Sequence, residues 1–355
     1  NCFRLQRFLY IYFETHLWYN RNSILERLVY DMIDSYGRDI NYLRISVTDR
    51  CNLRCQYCMP ESLPSIDHEE IFRFEEILQI CESMGALGIH RFKVTGGELF
   101  VRKGCMDFLR QLKALPCTEQ VTITTNGILL GKFLPELKEI GIDGINISLD
   151  TLQPEVFQQI TGHTGLESVL ENIVKSQEMG IRTKVNTVLL KSINDKEFPD
   201  LLHLARDYAV DVRFIEIMPI GFGKNYEGYS REKLLPKIAE LYPNYQITTK
   251  QRGNGPANYI KIPGFRGCIG FIDAVHGKFC HQCNRIRLTS DGMLKLCLYY
   301  ENGLNLKKLL RNGAAPAEIR SAIESAILQK PSEHRFYLSA LEGEPEHRKM
   351  SQIGG

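Results

Sequence analysis

Six of the eleven cysteines in this chain fall into two tight groups. Cys51, Cys55 and Cys58 have Cys-x3-Cys-x2-Cys spacing, and Cys280, Cys283 and Cys297 have Cys-x2-Cys-x13-Cys spacing. Thiolates gathered in this way hold metal ions or iron–sulfur clusters. Protein cysteines ordinarily complete four ligands on a cubane cluster. Three on one loop can hold three irons and leave the fourth open, which invites a small-molecule chelate. Zinc is the alternative, and structural zinc takes four ligands. The first loop contains no fourth Cys or His; His281 or His276 could complete the second, although His281 lies inside the two-residue spacer. Cys2, Cys81, Cys105, Cys117 and Cys268 are scattered and read as packing residues. An odd total with no secretory-signal pattern does not describe a disulfide framework, so a reducing compartment, the cytoplasm, is expected.

Cations stand beside the second group. Arg285 and Arg287 are two apart, so on an extended segment both face one side. Their guanidinium forks match phosphate oxygens in bidentate fashion.

The elements that must carry these groups follow from the alternation of short β-branched runs with longer helical stretches. Strands are predicted at Leu43–Thr48, Arg91–Thr95, Val121–Thr125, Ile145–Leu149, Thr183–Leu189 and Val212–Met218. Helices are predicted at Arg73–Leu87, Lys103–Leu115, Leu130–Ile140, Pro154–Met179 and Asp195–Tyr208. This rhythm implies right-handed βαβ units on a parallel sheet. Six units fall short of a closed eight-stranded barrel, so the expected fold is α/β, an incomplete (β/α)6 TIM-type barrel. Polar motifs stand at the strand ends (Thr48-Asp49, Thr95-Gly96-Gly97-Glu98, Thr125-Asn126-Gly127, Ser148-Leu149-Asp150), where such barrels carry their functional groups. After about Gly221 glycine and proline become frequent and the strand-like pieces short. A C-terminal module bearing the second cysteine group and covering the open side of the barrel is expected there, with helices near Leu304–Arg311 and Ala315–Gln329. The expected division is therefore 1–31, an N-terminal extension or leader outside the core; 32–222, the partial barrel; 223–340, the C-terminal module; and 341–355, a tail ending in Gly354-Gly355. An amphipathic partner helix over Ile24–Met32 is the other reading of the first segment.

Composition bounds the function class. The 355 residues carry 44 Lys plus Arg against 42 Asp plus Glu, so there is no general field for nucleic acid. Hydrophobic residues make up 43%, as in ordinary globular chains, and no apolar run reaches the roughly 18 residues of a membrane span.

The loop Thr48 to Pro60 resembles the cluster-binding signature of the radical S-adenosylmethionine enzymes. The resemblance implies a [4Fe-4S] cluster on Cys51, Cys55 and Cys58 whose open iron chelates S-adenosylmethionine, cleaved by one electron to methionine and a 5′-deoxyadenosyl radical. It places the methionine moiety at Thr95-Gly96-Gly97-Glu98, with Leu99 standing where the family usually has proline. It assigns Tyr57, Gly97, Ser148 and Met218 to S-adenosylmethionine. The block Phe279 to Leu298, together with the Gly-Gly terminus, is similar to the GTP 3′,8-cyclase family, which opens molybdenum-cofactor biosynthesis; the similarity spans about residues 32–355. That resemblance implies a second [4Fe-4S] cluster on Cys280, Cys283 and Cys297 that holds the guanine of GTP. It assigns Arg44, Lys93, Thr124, Lys184, Arg285, Ile286 (by its backbone) and Arg287 to GTP, with Arg91 and Arg213 nearby, and brings Gly354 and Gly355 into the active site. The implied chemistry is hydrogen removal from C3′ of the ribose, attack of C3′ on C8, then reduction and protonation. Implied partners are a low-potential electron donor of flavodoxin or ferredoxin type and the cyclic pyranopterin monophosphate synthase that receives the product. The resemblance is compatible with a homodimer and includes no nucleic-acid or membrane partner. Two other readings stand beside it: a two-cluster radical enzyme acting on a peptide or another substrate, and a non-catalytic iron–sulfur or zinc module.

Overall fold

A computed structural model describes residues 31–59, 69–250, 252–336 and 346–354. The extension expected over 1–31, the alternative helix over 24–32 and Gly355 therefore fall wholly or partly outside the described residues. Six parallel strands follow one another: β1 (Tyr42–Ser46), β2 (Arg91–Thr95), β3 (Gln120–Thr125), β4 (Gly144–Ser148), β5 (Thr183–Thr187) and β6 (Asp211–Ile215). Between them run α1 (Phe74–Gly85), α2 (Cys105–Ala114), α3 (Leu134–Ile140), α4 (Pro154–Thr161), α5 (Leu166–Glu178) and α6 (Phe198–Asp207).

Alternation within the strands divides the molecule into a dry side and a polar side. Leu43 and Ile45, Phe92 and Val94, Val121 and Ile123, Ile145 and Ile147, and Val212 and Phe214 are buried in the hydrophobic core, which the helices share through Ile77, Leu109, Leu137, Ile173 and Leu201. The intervening residues, Arg44, Lys93, Thr124, Ser148, Asn186 and Arg213, line a cavity on the other face. Parallel strands buried on both faces normally read as near-continuous apolar runs. Period-two polarity here marks an inner face kept open.

Residues after 222 enter the same sheet. They form α7 (Arg231–Leu241), β7 (Gln246–Thr248), β8 (Asn258–Lys261), β9 (Ile269–Ile272), β10 (Arg285–Leu288), β11 (Met293–Lys295), β12 (Gly303–Asn305), α8 (Leu306–Arg311), α9 (Pro316–Leu328) and a short α10 (Met350–Ile353). The sheet order is β12-β11-β10-β1-β2-β3-β4-β5-β6-β9-β8-β7. β10 pairs in parallel with β1, and β9 with β6, so the C-terminal residues extend the incomplete barrel from both edges and leave it unclosed.

The single helix predicted over Pro154–Met179 is two helices. Gly162 and Gly165 take φ of +68° and +124°, backbone that a residue with a Cβ adopts only under strain, and they end α4 before α5 begins. This break has a function in the site.

Candidate active site

The cysteine loop that follows β1 is fixed from three directions. Arg54 and Gln56 donate their backbone N–H groups to the Thr161 and Ile160 carbonyls at the end of α4, at 2.7 and 2.9 Å. Those carbonyls are without intrahelical partners because the helix stops there. Gly97 donates its N–H to the Thr48 carbonyl at 2.7 Å, and Glu98 to that of Arg50 at 2.8 Å. A Cβ on Gly97 would lie 2.3 Å from the Arg50 carbonyl oxygen, so only glycine lets the two segments meet. From the β4 side, the Tyr57 hydroxyl donates to Asp150 at 2.6 Å, and Asp150 also accepts the Val188 N–H at 2.8 Å. Burial pushes the Asp150 carboxyl up to about 6. Glu98 is fully buried, accepts from Thr125 Oγ1 and the Asn126 and Phe100 amides, and is pushed by burial up to about 7. Leu99 is fully buried and opens a short 3-10 turn, Leu99–Val101, without the usual proline.

The chemistry of the donor set suits an iron–sulfur cluster. Burial pushes the Cys51 thiol up, Cys55 well up and Cys58 to about 12, and repulsion from neighbouring thiolates and Asp150 adds to the rise at Cys55 and Cys58. Such thiols ionise when a cationic centre displaces their protons. Among the described residues no three His, Cys, Asp or Glu side chains converge on a single-ion site, and three thiols spread around a loop match separate irons better than one zinc.

The second trio sits in a basic frame. Cys280 and Cys283 bracket a turn leading into β10, and Cys297 follows β11. Arg38, 5% exposed and paired with Asp34 at 2.6 Å, donates to the carbonyls of Cys280, Pro331 and Ser332 at 2.8–3.0 Å. Lys330 donates to the carbonyls of Arg285 (2.9 Å) and Leu296. Burial raises the Cys280 thiol. It acts in the same sense on Cys283, but Lys330 and Arg285 outweigh it and bring that thiol down to about 7.

Both trios face one cavity of about 360 Å³, within the range of small-molecule sites. Parallel register sets Arg287 of β10 beside Arg44 of β1, and Arg44 beside Lys93 of β2, one strand spacing (about 4.8 Å) apart at each step. Arg213 approaches from β6, donating to Asn186 at 2.5 Å and to Asn146. Burial, together with repulsion among these cations, holds Lys93 and Arg287 well below their ordinary values and Arg44 at about 10. Two carboxylates on the cavity wall are engaged elsewhere, Asp150 with Tyr57 and Glu216 with His276 and two backbone amides. The cavity wall therefore presents surplus positive charge suited to a polyanion.

Residues 350–354 return to this cavity. Met350 and Ser351 line it, and the Ser351 N–H donates to the Cys58 sulfur. The Gly354 carbonyl accepts from Arg287, and with φ of +79° a Cβ added to it would lie 3.2 Å from the Ser46 side chain and 3.4 Å from that of Thr95.

Residues 45–205 match the Radical SAM superfamily, and residues 210–336 match Molybdenum Cofactor Synthesis C. The GTP 3′,8-cyclase of Clostridium perfringens (strain 13 / Type A) is 42% identical over 325 residues, covering 91% of this chain and 100% of that one. The chain belongs to the GTP 3′,8-cyclase family. The GTP 3′,8-cyclase of Peptoclostridium acidaminophilum, 43% identical with 91% and 98% covered, agrees. Among solved structures, SuiB of Streptococcus suis bound to S-adenosylmethionine superposes with a TM-score of 0.58 over 83% of this chain and 72% of that one. At 14% identity that likeness shows the radical-enzyme fold alone. Membership of the radical S-adenosylmethionine superfamily brings a [4Fe-4S] cluster and S-adenosylmethionine to this chain.

Within this family member, the structure gathers most of the residues singled out in the sequence. All six grouped cysteines, Tyr57, Gly97, Ser148, Met218, Arg44, Lys93, Thr124, Arg285, Arg287 and Arg213 line the one cavity. Lys184 does not. Its ammonium donates to the Arg252 carbonyl and to Tyr259 Oη (3.2 Å), and it lines a smaller neighbouring cavity that shares Tyr42, Lys93 and Arg213 with the first. Ile286 turns its side chain into the core. Arg91 pairs with Glu119 at 3.0 Å on the partly exposed rim and takes no part in the cavity. Sequence reasoning missed Tyr42, Asn126, Asp150, Asn186 and Lys330 as lining residues. Asn126 and Asp150 stand in strand-end motifs already visible in the sequence, whereas Lys330 has no local signal.

Proposed function

We propose that this chain converts GTP to 3′,8-cyclo-7,8-dihydro-GTP, the first step of molybdenum-cofactor biosynthesis. The observation that carries this reading is a single cavity walled on one side by Cys51, Cys55 and Cys58, on another by Cys280, Cys283 and Cys297, with a row of cations between them. Cys51, Cys55 and Cys58 would hold the cluster that S-adenosylmethionine chelates, and Cys280, Cys283 and Cys297 a second [4Fe-4S] cluster facing the guanine. When bound, these groups supply a one-electron source and hydrogen-atom abstraction. Tyr57, Gly97, Ser148 and Met218 would shape the S-adenosylmethionine side. Arg44, Lys93, Arg213, Arg285 and Arg287 would bind the triphosphate, with Thr124 beside them, while Lys184 stands apart in the adjoining cavity.

Gripping the nucleotide at both ends holds C3′ of the ribose against C8 of the base, which makes ring closure intramolecular. The terminal Gly354 segment, lying over Ser46 and Thr95, excludes water from that side. A low-potential flavodoxin- or ferredoxin-type donor would supply electrons, and cyclic pyranopterin monophosphate synthase would take the product. In this reading residues 32–222 bind S-adenosylmethionine and residues 223–340 bring the substrate-side cluster.

Anaerobic reconstitution tests the proposal. The protein should take up roughly eight irons per chain, as two cubanes require, and form the cyclised nucleotide from GTP. Cys283→Ser should keep 5′-deoxyadenosine formation and lose the cyclised product. Unchanged product from Cys283→Ser would overturn the role of the second trio.

A further inference from the structure

The terminal segment is anchored well before it reaches the cavity. Lys295 of β11 and Glu346 form an ion pair whose side chains are 0% and 1% exposed. Lys295 Nζ also donates to the Tyr300 carbonyl at 2.6 Å. Glu346 donates its N–H to the Tyr299 carbonyl at 2.7 Å. Its other carboxylate oxygen accepts from the Arg348 backbone at 2.9 Å and the Arg348 side chain at 3.2 Å, and Arg348 reaches toward Asp291 at 3.6 Å. Further along, Ser351 contacts Cys58 and Gly354 contacts Arg287. Lys295 and Arg287 are direct register partners across β11 and β10. One pair of strands thus grips the segment at both ends, at Glu346 and at Gly354.

We propose that the Lys295–Glu346 pair is a positioning latch that sets where the terminal segment lies over the cavity. Glu346 and Lys295 are then positioning residues for GTP cyclisation, an inference that rests on the function proposed above. A buried ion pair adds little net stability compared with apolar residues of the same size, because desolvation offsets the attraction. Its physical value lies in tolerating one partner geometry. A slip by one residue of the whole segment from Glu346 to Gly354 would carry the Gly354 carbonyl about 3.5 Å along the chain, out of reach of Arg287. The latch prevents that slip, since any slip leaves a buried ammonium or carboxylate unpaired.

Glu346→Gln tests this in the iron-loaded full chain by two readouts. Release of C-terminal residues by carboxypeptidase should accelerate about tenfold, equivalent to about 1.4 kcal/mol of lost anchoring. The kcat for cyclisation should fall by a similar factor, with KM for GTP moving much less, iron content unchanged and Glu346→Asp lying between variant and parent. An unchanged release rate overturns the latch, and so does a kcat that falls only in proportion to lost iron. If Glu346→Gln fails to retain iron, Arg348→Ala decides: release about threefold faster supports the latch, and release at the parental rate refutes it. A parent enzyme that makes no product from GTP would refute the proposed function instead, while the release assay would still report on the latch.

Discussion

Replacing Gly97 with alanine asks whether the glycine-rich segment sets the cysteine loop or merely adjoins it. The new methyl carbon would sit 2.3 Å from the Arg50 carbonyl oxygen, 2.6 Å from the Arg50 carbonyl carbon and 2.7 Å from the Asp49 oxygen, all of them backbone atoms. Even the closest tolerable contact, 3.0 Å, requires the two segments to part by at least 0.7 Å. That displacement strains the Gly97-to-Thr48 and Glu98-to-Arg50 hydrogen bonds. Each is worth about 1 kcal/mol net, and overpacking costs about 1–3 kcal/mol. A loss of about 3–5 kcal/mol at the entrance to Cys51 is a large share of the 5–15 kcal/mol that holds a typical domain together. The reconstituted variant should bind less iron at the first site and form 5′-deoxyadenosine at least about 100-fold more slowly, as chromatography would show. Gly141→Ala is the control. Gly141 has φ of +76° but nothing within 4 Å of the added carbon, so it should cost about 1 kcal/mol of strain and leave turnover unchanged. Full iron loading and near-parental 5′-deoxyadenosine formation in Gly97→Ala would refute the argument.

Two other predictions concern charge. Burial, with Arg213 beside it, holds Lys184 down at about 7 against the ordinary 10.5. Between those values the unfolded chain binds the extra proton, so nucleotide-free protein gains stability as pH rises through the window. Denaturation midpoints of the nucleotide-free protein should therefore rise from pH 7 to pH 9, and Lys184→Met should flatten that rise; a profile that Lys184→Met leaves unchanged counts against it. Arg287→Lys keeps the charge but loses the planar fork, so KM for GTP should rise about tenfold in steady-state assays.

Most of the barrel was legible because short β-branched runs alternate with longer helical stretches, the rhythm of βαβ units; the period-two polarity of β1 to β6, which opens the cavity face, shows only in the structure. Cys51, Cys55 and Cys58 were legible because all three fall within one short loop, where their spacing is visible in the sequence. The break between α4 and α5 was hidden, since helical periodicity runs across it and only Gly162 and Gly165 mark the stop. Arg38 and Lys330 were invisible for a different reason. Each acts through backbone carbonyls brought together by the fold, and carbonyls leave no mark on a sequence. The placement of Lys184 in a side cavity depends on the Arg252 carbonyl and Tyr259, which reach it from beyond residue 222.

The pairing of β10 with β1 joins Tyr42 to Arg285, and the pairing of β9 with β6 joins Val212 to Ile269. During synthesis β1 must therefore wait for more than two hundred further residues before its outer flank is satisfied. Until then the nascent protein exposes raw strand borders on both flanks, the kind of surface that recruits other chains. A fragment stopped at residue 222 would keep its six central strands and still be prone to aggregate, and long-range closure of this sort makes for slow folding. Cysteines from both halves meet only after that closure, so the chamber they share can be completed only once Cys297 has been synthesised.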